Sequence, residues 1–463
     1  MKTTERNNSV LPMISVTILF FMWGFITSLN DILIPYFKTV YQLSHFQANI
    51  VQFAFFIAYF VCAFIFYLLS VKGKDPISRF GYKGTLTIGL FTASLSCFLF
   101  SFVARLQLPF VCFLVSLFLL GTGLTFLQVA ANPFVSLIGK RETASSRLNL
   151  TQAFNSLGTT LGPALGGYFI FSYFADKSGE NFAVTTPYLF LAFLLLALGV
   201  FISFSKISIA EEEQNNLSSA ESIFKKPYVV LGALGVFFYV GAEVAVGSNL
   251  ISYMKEVISI DAEHASAFVS YYWGGAMIGR FLGAVSLSDV SKTRKIVSMI
   301  LLALLCFVII FAVNWMLHGL AFRLVWFFLV FIALNFMFFC LGKGNTALTL
   351  AIFAMVNIAL LICGIGINNG VAVWSLIAIG LFNSIMWSNV FTLAIDGLGK
   401  QTSSASSILI MMILGGAIVP PLQGILADVS SVRISYFIPM VSYIYLCFYG
   451  LKGYKIGKPK SLK

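Results

Sequence analysis

The chain is 463 residues long, 59% hydrophobic and only 10% charged, a balance that excludes an ordinary soluble enzyme and points to helices dissolved in lipid. Its formal net charge of +12 does not indicate a nucleic-acid partner, because Lys and Arg sit mostly in short loops between apolar runs, where they set membrane topology. The seven cysteines make no CxxC pair and the three histidines no HExxH spacing, so they read as packing residues, and no metal or cofactor is expected.

The polar stretch Met1 to Pro12 precedes a first apolar run that is too long for a signal-peptide core and lacks a small-residue cleavage site, so it reads as a retained span. That run, 13–36, is interrupted by Asn30, Asp31 and Pro35. A carboxylate at membrane depth costs about 3 kcal/mol even on the lenient insertion scale, so Asp31 predicts a helix that lines a wet, polar path. Further spans are expected at 47–70, 84–104, 109–137, 148–174 and 184–205, then at 227–254, 264–288, 296–314, 319–341, 345–365, 370–395, 403–427 and 434–451. With the N-terminus inside, only Lys38, Arg105, Lys177, Lys255, Arg323 and Arg433 fall on the outside, so both termini are expected in the cytoplasm.

The long polar stretch 206–226, with Glu211, Glu212 and Glu213, predicts a cytoplasmic linker between a bundle over 1–205 and a second over 227–463. A short repeat links the two: Leu157-Gly158 followed by Pro163 and Gly167, against Leu414-Gly415 followed by Pro420 and Gly424. Matched halves of membrane helices are the expected build of an alternating-access transporter.

Polar residues in the spans cluster unevenly. Gln128 and Asn132 lie four apart on one helical face, with Pro133 after them. Asn149, Gln152 and Asn155 form a slanted stripe in the next span. Amides both donate and accept, which matches the mixed character of sugar hydroxyls. Glu243 is the second carboxylate placed at depth, and the span 370–395 holds Asn383, Trp387 and Asn389, where an indole near amides suits the apolar face of a pyranose. The plain alternative for each amide is interhelical packing, typically worth under 1–2 kcal/mol. Arg280, near the inner end of its span, is expected to snorkel or to pair with an acidic loop residue. Asp75 to Lys83 and Arg280 to Lys295 occupy matching places in the two halves, and spacing alone does not choose between gate latches and generic basic loops.

At these residues the chain resembles the fucose–proton symporter family of the major facilitator superfamily, and more closely the bacterial glucose/galactose transporters within it. The resemblance is carried by Asn30-Asp-Ile-Leu-Ile-Pro35, Gln128-Val-Ala-Ala-Asn-Pro-Phe134, Arg147-Leu-Asn-Leu-Thr-Gln-Ala-Phe-Asn-Ser-Leu-Gly158, Phe238-Tyr-Val-Gly-Ala-Glu243, Ile278-Gly-Arg-Phe281, Phe382-Asn-Ser-Ile385 and Phe391-Thr-Leu-Ala-Ile395. It implies an all-α integral membrane protein with two six-helix bundles, and cation-coupled import of a hexose such as glucose or galactose across the bacterial inner membrane. Asp31 would be the proton-linked carboxyl, with Glu243 as a second coupling site. Asn30, Gln128, Asn132, Gln152, Asn155, Asn383, Trp387 and Asn389 would contact the sugar, near the midplane between the bundles. Fucose-type members carry a glutamate where this chain has Gln128, so proton and sodium both stand as coupling ions. Trp387-Ser388 replaces an expected aromatic–proline pair.

Residues from Asn314 to Gly370 have no counterpart in the basic pattern and predict an inserted two-helix hairpin at about 315–366, peripheral to the fold. Expected partners are a small-molecule sugar and membrane lipid, with no nucleic acid, for a monomeric chain. Other sugars, including N-acetylglucosamine, stand open. A drug-type exporter would want a more apolar site. A membrane enzyme on lipid-linked sugars would need acids or histidines gathered at one interface, and no such cluster is present in the sequence. A sugar sensor with a transporter-like body, binding without flux, is a further reading.

Overall fold

The computed structural model describes residues 2–71, 76–137, 144–179, 182–205, 226–286, 291–343, 345–367, 369–396, 398 and 402–458, and among these there is no strand. The expected linker at 206–226 lies outside the described residues apart from its last position, as does Asp75.

Long helices follow one another: α1 (Lys2–Val40), α2 (His45–Val71), α3 (Pro76–Arg105), α4 (Phe110–Leu137), α5 (Ala144–Tyr168), α6 (Thr185–Phe204), α7 (Pro227–Val257), α8 (Ala262–Ser286), α9 (Lys292–His318), α10 (Phe322–Leu341), α11 (Thr346–Gly366), α12 (Gly370–Ile395), α13 (402–429) and α14 (Val432–Leu451). Twelve of them are long and apolar enough to cross a membrane by length and composition. The other two, α5 and α10's neighbour α8, are each 25 residues long but more polar. At about 1.5 Å per residue a helix of that length also spans a hydrocarbon layer of about 30 Å.

Local chemistry explains several boundaries. Ser44 and Gln47 open α2 as a reciprocal capping box: the Ser44 N–H donates to Gln47 Oε1 at 2.9 Å, and the Gln47 N–H donates to Ser44 Oγ at 3.2 Å. Gly81 in α3 has φ 66°, a left-handed turn that kinks the helix start. Pro163 lies inside α5, which gives way to a π-helical turn at Phe169–Tyr173. Ser384 and Ile385 break α12 into Gly370–Asn383 and Met386–Ile395.

The chain forms two compact units. The first comprises Met1–Thr27, Ala54–Thr159 and Phe169–Leu217. In it α3 packs on α4 and on α6, and Phe100 stacks on Tyr188 with ring centroids 3.9 Å apart. Where α5 crosses α1, a Cβ on Gly158 would lie 2.1 Å from the Phe21 carbonyl oxygen, so only glycine allows this approach.

The second unit comprises Ser28–Phe53, Thr160–Tyr168 and Ser218–Lys463. It therefore takes in the later turns of α1, the start of α2 and the end of α5, so the compact units do not follow the linker alone. Its centre is α7, which packs on α8, α12, α13 and α14. Where α13 crosses α7, a Cβ on Gly415 would lie 1.9 Å from the Phe237 carbonyl oxygen. The short sequence repeat thus marks the same kind of crossing in each unit, Gly158 on Phe21 and Gly415 on Phe237.

The hairpin expected at about 315–366 falls on α10 and α11, and α11 is not peripheral. It packs on α12 and α14, as α3 packs on α4 and α6, and its buried face includes Ala347, Leu350, Ala351, Phe353 and Ala354. The least buried candidate spans are α9 and α10. They attach through buried polar side chains: Asn314 Nδ2 donates to Ser270 Oγ at 3.2 Å, His318 Nε2 lies 3.0 Å from the Ala164 carbonyl, and Asn335 Nδ2 donates to the Leu381 carbonyl at 3.2 Å.

Candidate functional site

Asp31 lies on α1 within the second unit and is 2% exposed. Pro35, one turn later, lacks the N–H that would bond the Asp31 carbonyl, so the helix is locally loosened where the carboxylate projects. Three donors hold that carboxylate. Gln52 Nε2 of α2 and Ser248 Oγ of α7 donate to Oδ1 at 3.1 and 2.9 Å, and Trp273 Nε1 of α8 donates to Oδ2 at 2.8 Å. Gln52 Nε2 also reaches Ser248 Oγ at 2.8 Å. Gly247 makes room: a Cβ there would lie 3.6 Å from Asp31 Oδ2 and 3.3 Å from the Trp273 ring. Asn30 is fully buried beside it, with Nδ2 3.5 Å from Gln52 Oε1 and Oδ1 without a partner.

One helical step along α2 and α7, Asn49 and Asn249 pair their amides reciprocally at 2.9 and 3.2 Å. At the helix ends, Lys38, His45 and Glu256 meet. Lys38 Nζ bonds Glu256 Oε1 and lies 2.7 Å from His45 Nε2, which is 3.2 Å from Glu256 Oε2. Asp428 of α13 accepts from the His45 and Phe46 N–H groups at 2.7 and 2.8 Å, at the N-terminus of α2 where the helix dipole favours an anion.

The other predicted carboxylate, Glu243 of α7, is also buried. Tyr239, four residues earlier on the same face, donates to its Oε1 at 2.7 Å, and Arg280 Nη2 lies 3.8 Å from that oxygen. Arg280 therefore has an acidic neighbour within the helices; its Nε also donates to the Ser384 carbonyl at 3.4 Å.

Asn383 makes three hydrogen bonds within the protein. Its Oδ1 accepts from Asn357 Nδ2 at 2.9 Å and Tyr443 OH at 2.8 Å, and its Nδ2 donates to Tyr272 OH at 3.0 Å. Tyr272 OH donates onward to the Glu243 carbonyl at 2.7 Å. Asn389 Nδ2 donates to the Thr346 carbonyl at 3.2 Å, fixing α12 to the start of α11. Trp387 is half-buried, with its ring 6.1 Å from Phe391 and 6.5 Å from Tyr239.

The remaining predicted residues belong to the first unit. Asn155 Nδ2 donates to the Phe20 carbonyl at 2.9 Å, which ties it to the α1–α5 crossing. Gln128 of α4 and Gln152 of α5 are half-buried. Asn132 lies on α4, but its side chain is outside the described residues.

Sequence reasoning missed Gln52, Ser248 and Trp273 around Asp31, and Asn357, Tyr272 and Tyr443 around Asn383. A signal existed for the first: Asn49 and Gln52 sit three apart in an apolar span, the same stripe logic applied to α4 and α5. Nothing in the spacing of Trp273 or Tyr443 points to a partner hundreds or tens of residues away.

The Major Facilitator Superfamily pattern matches residues 16–349. The chain is 39% identical over 460 residues to a Brucella abortus glucose/galactose transporter, covering 98% of this chain and 97% of that one. It is 27% identical over 454 residues to the Escherichia coli L-fucose-proton symporter, covering 92% and 88%. A crystal structure of the E. coli fucose:proton symporter superposes with a TM-score of 0.61 at 25% identity, over 96% of this chain and 98% of that one. The match in sequence and in fold extends nearly end to end, and the chain belongs to the major facilitator superfamily, a family of transporters and not of enzymes.

Proposed function

We propose that this protein imports a hexose such as glucose or galactose across the bacterial inner membrane, driven by a proton gradient, with both termini in the cytoplasm. The observation that carries the reading is Asp31: an acid sealed in an apolar helix and gripped by three hydrogen-bond donors. Such a group is costly at depth, and its natural use is to gain and lose an ion as water reaches it in different states of the carrier. The Brucella relative supports glucose or galactose as cargo, and the fucose–proton symporter supports the proton.

Gln128, Gln152, Asn30 and Trp387 are the proposed sugar contacts. Asn30 keeps an unpartnered carbonyl oxygen, and Trp387 is half-buried with its ring among aromatic neighbours. Asn155, Asn383 and Asn389 are spent on protein partners and serve to position the helices that carry the others. Glu243, held by Tyr239 beside Arg280, is the proposed second coupling group.

A competition panel tests the cargo: unlabelled sugars against glucose uptake, with and without sodium and with a protonophore. Collapse of uptake by the protonophore and indifference to sodium is expected; strict dependence on sodium overturns the proton. Asp31→Asn tests the coupling group and is expected to abolish uphill accumulation while counterflow persists in part.

The helices additional to a twelve-helix plan are α9 and α10 in this reading, shifted from the hairpin expected at about 315–366. The support is packing: α11 stands to α12 and α14 as α3 stands to α4 and α6, which leaves α9 and α10 as the pair without a counterpart in the first unit.

A further inference from the structure

Three layers of polar contact tie α1 and α2 to α7 within the second unit, and they differ in kind. The layer at the helix ends, Lys38 with His45 and Glu256, is open to water, with the Glu256 side chain 38% exposed. Exposed ion pairs are weak and screened by salt. The middle layer, Asn49 with Asn249, is neutral and carries no ionisable group. The innermost layer alone contains an acid cut off from water, Asp31, and surrounds it with donors.

Those donors come from three helices. Gln52 belongs to α2, Ser248 to α7 and Trp273 to α8. Two of the donating atoms, an amide nitrogen and an indole nitrogen, have no capacity to accept. The carboxylate therefore acts as the common acceptor that pins α1 and α2 to α7 and α8 at one point. Hydrogen bonds to a charged group are about twice as strong as neutral ones, and more so where water is excluded. When Asp31 exchanges its ion, the strength of the whole junction changes with it. The middle layer holds no group that can change its charge, and the ion pair at the helix ends is weakened by water and salt.

We infer that Trp273 and Ser248, with Gln52, are positioning residues for the coupling carboxylate: they form a clamp whose making and breaking ties the state of Asp31 to the movement of α1 and α2 against α7 and α8. The inference rests on the proposed role of Asp31 as the coupling group and goes beyond it by naming the groups that pass its state to the rest of the protein. The residues act through Asp31 and need not touch the sugar.

The test uses the full chain reconstituted in proteoliposomes. Labelled glucose or galactose, whichever the competition panel identifies, is followed both as counterflow and as uphill accumulation under an imposed proton gradient. Trp273→Phe keeps an aromatic ring and removes the indole N–H; Ser248→Ala removes the hydroxyl, and Ser248→Thr restores it. The ratio of accumulation to counterflow is expected to fall about tenfold in Trp273→Phe and Ser248→Ala, the factor carried by about one charge-assisted hydrogen bond. Ser248→Thr is expected to recover most of the loss. In an Asp31→Asn background neither substitution should change the ratio further.

If both variants lower accumulation and counterflow in parallel, the residues only pack and the clamp is overturned. If Ser248→Ala and Trp273→Phe keep the wild-type ratio while Asp31→Asn loses accumulation, the clamp fails and the coupling role stands. If Asp31→Asn itself accumulates sugar like the wild type, the coupling reading fails and the clamp with it. Should Trp273→Phe not reach the membrane, the Ser248 pair of variants decides the matter on its own.

Discussion

Asn155 Nδ2 donates to the Phe20 carbonyl at 2.9 Å, so an amide expected to face a sugar also joins α5 to the backbone of α1. The neighbouring Gly24 explains why the approach is possible: a Cβ there would stand 2.1 Å from the Asn155 carbonyl oxygen. Asn155→Ala is therefore expected to lower the thermal stability of the detergent-solubilised protein, by about 1 kcal/mol for an interhelical amide bond. Sugar affinity of the folded protein should hold within a factor of about two. A titration in which affinity falls tenfold at unchanged melting temperature would return Asn155 to the sugar.

Asn383 serves three partners at once, and its loss should propagate. Asn383→Leu leaves Asn357 Nδ2 and Tyr443 OH without the acceptor they share, while Tyr272 keeps its bond to the Glu243 carbonyl; each stranded buried group costs about 1–3 kcal/mol. Tyr443→Phe removes one hydroxyl from the same network and should cost about 1 kcal/mol. Thermal unfolding of the two variants, compared side by side, checks the order. Equal stability of Asn383→Leu and the wild type would mean that the network contributes nothing.

The two glycine crossings make a paired prediction. Gly158→Ala and Gly415→Ala each push a methyl group into a carbonyl oxygen, of α1 and of α7 respectively, and each is expected to destabilise by about 1–3 kcal/mol through forced separation of the helices. Melting curves should shift in the same direction by similar amounts. A harmless alanine at either position would break the equivalence.

Lys38 and Glu256 offer the opposite expectation. Their side chains are 26% and 38% exposed, so Lys38→Met should change stability by under about 1 kcal/mol, and raising the salt concentration should shrink even that. A loss above 2 kcal/mol, insensitive to salt, would mean that the contact is far drier than its exposure indicates.

Deletion separates the two placements of the additional helices. Removing 291–343 takes out α9 and α10 as a pair, keeps the orientation of everything downstream, and is expected to leave a folded transporter with reduced stability. Removing 315–366 takes out α11, on which α12 and α14 pack, and is expected to abolish insertion of a folded protein. Size-exclusion profiles in detergent distinguish the outcomes.

Much of this was legible in the chain. Apolar runs announce helices by length alone, and Asp31 stood out because lipid makes a lone acid expensive. The Leu157-Gly158 and Leu414-Gly415 repeat, read in the sequence as a sign of two matched halves, falls on two helix crossings. What the sequence hid was partnership. Asn383 and Asn155 looked like free amides because their partners, Tyr443 and the Phe20 carbonyl, lie on other helices, and one is a backbone atom that leaves no trace in residue identity. Hydropathy likewise marks every span alike, and only packing separates a helix such as α11, on which α12 and α14 lie, from one that leans on the outside.

The shared crossing has a bearing on the origin of the chain. Two unrelated bundles have no reason to place a glycine against a phenylalanine carbonyl at corresponding helices, with a proline five residues beyond it in each. A duplicated ancestral half inherits both at once. On that account the crossing is older than the separation of the two halves, and, in the reading that takes α9 and α10 as the additional pair, those two helices arrived after the duplication.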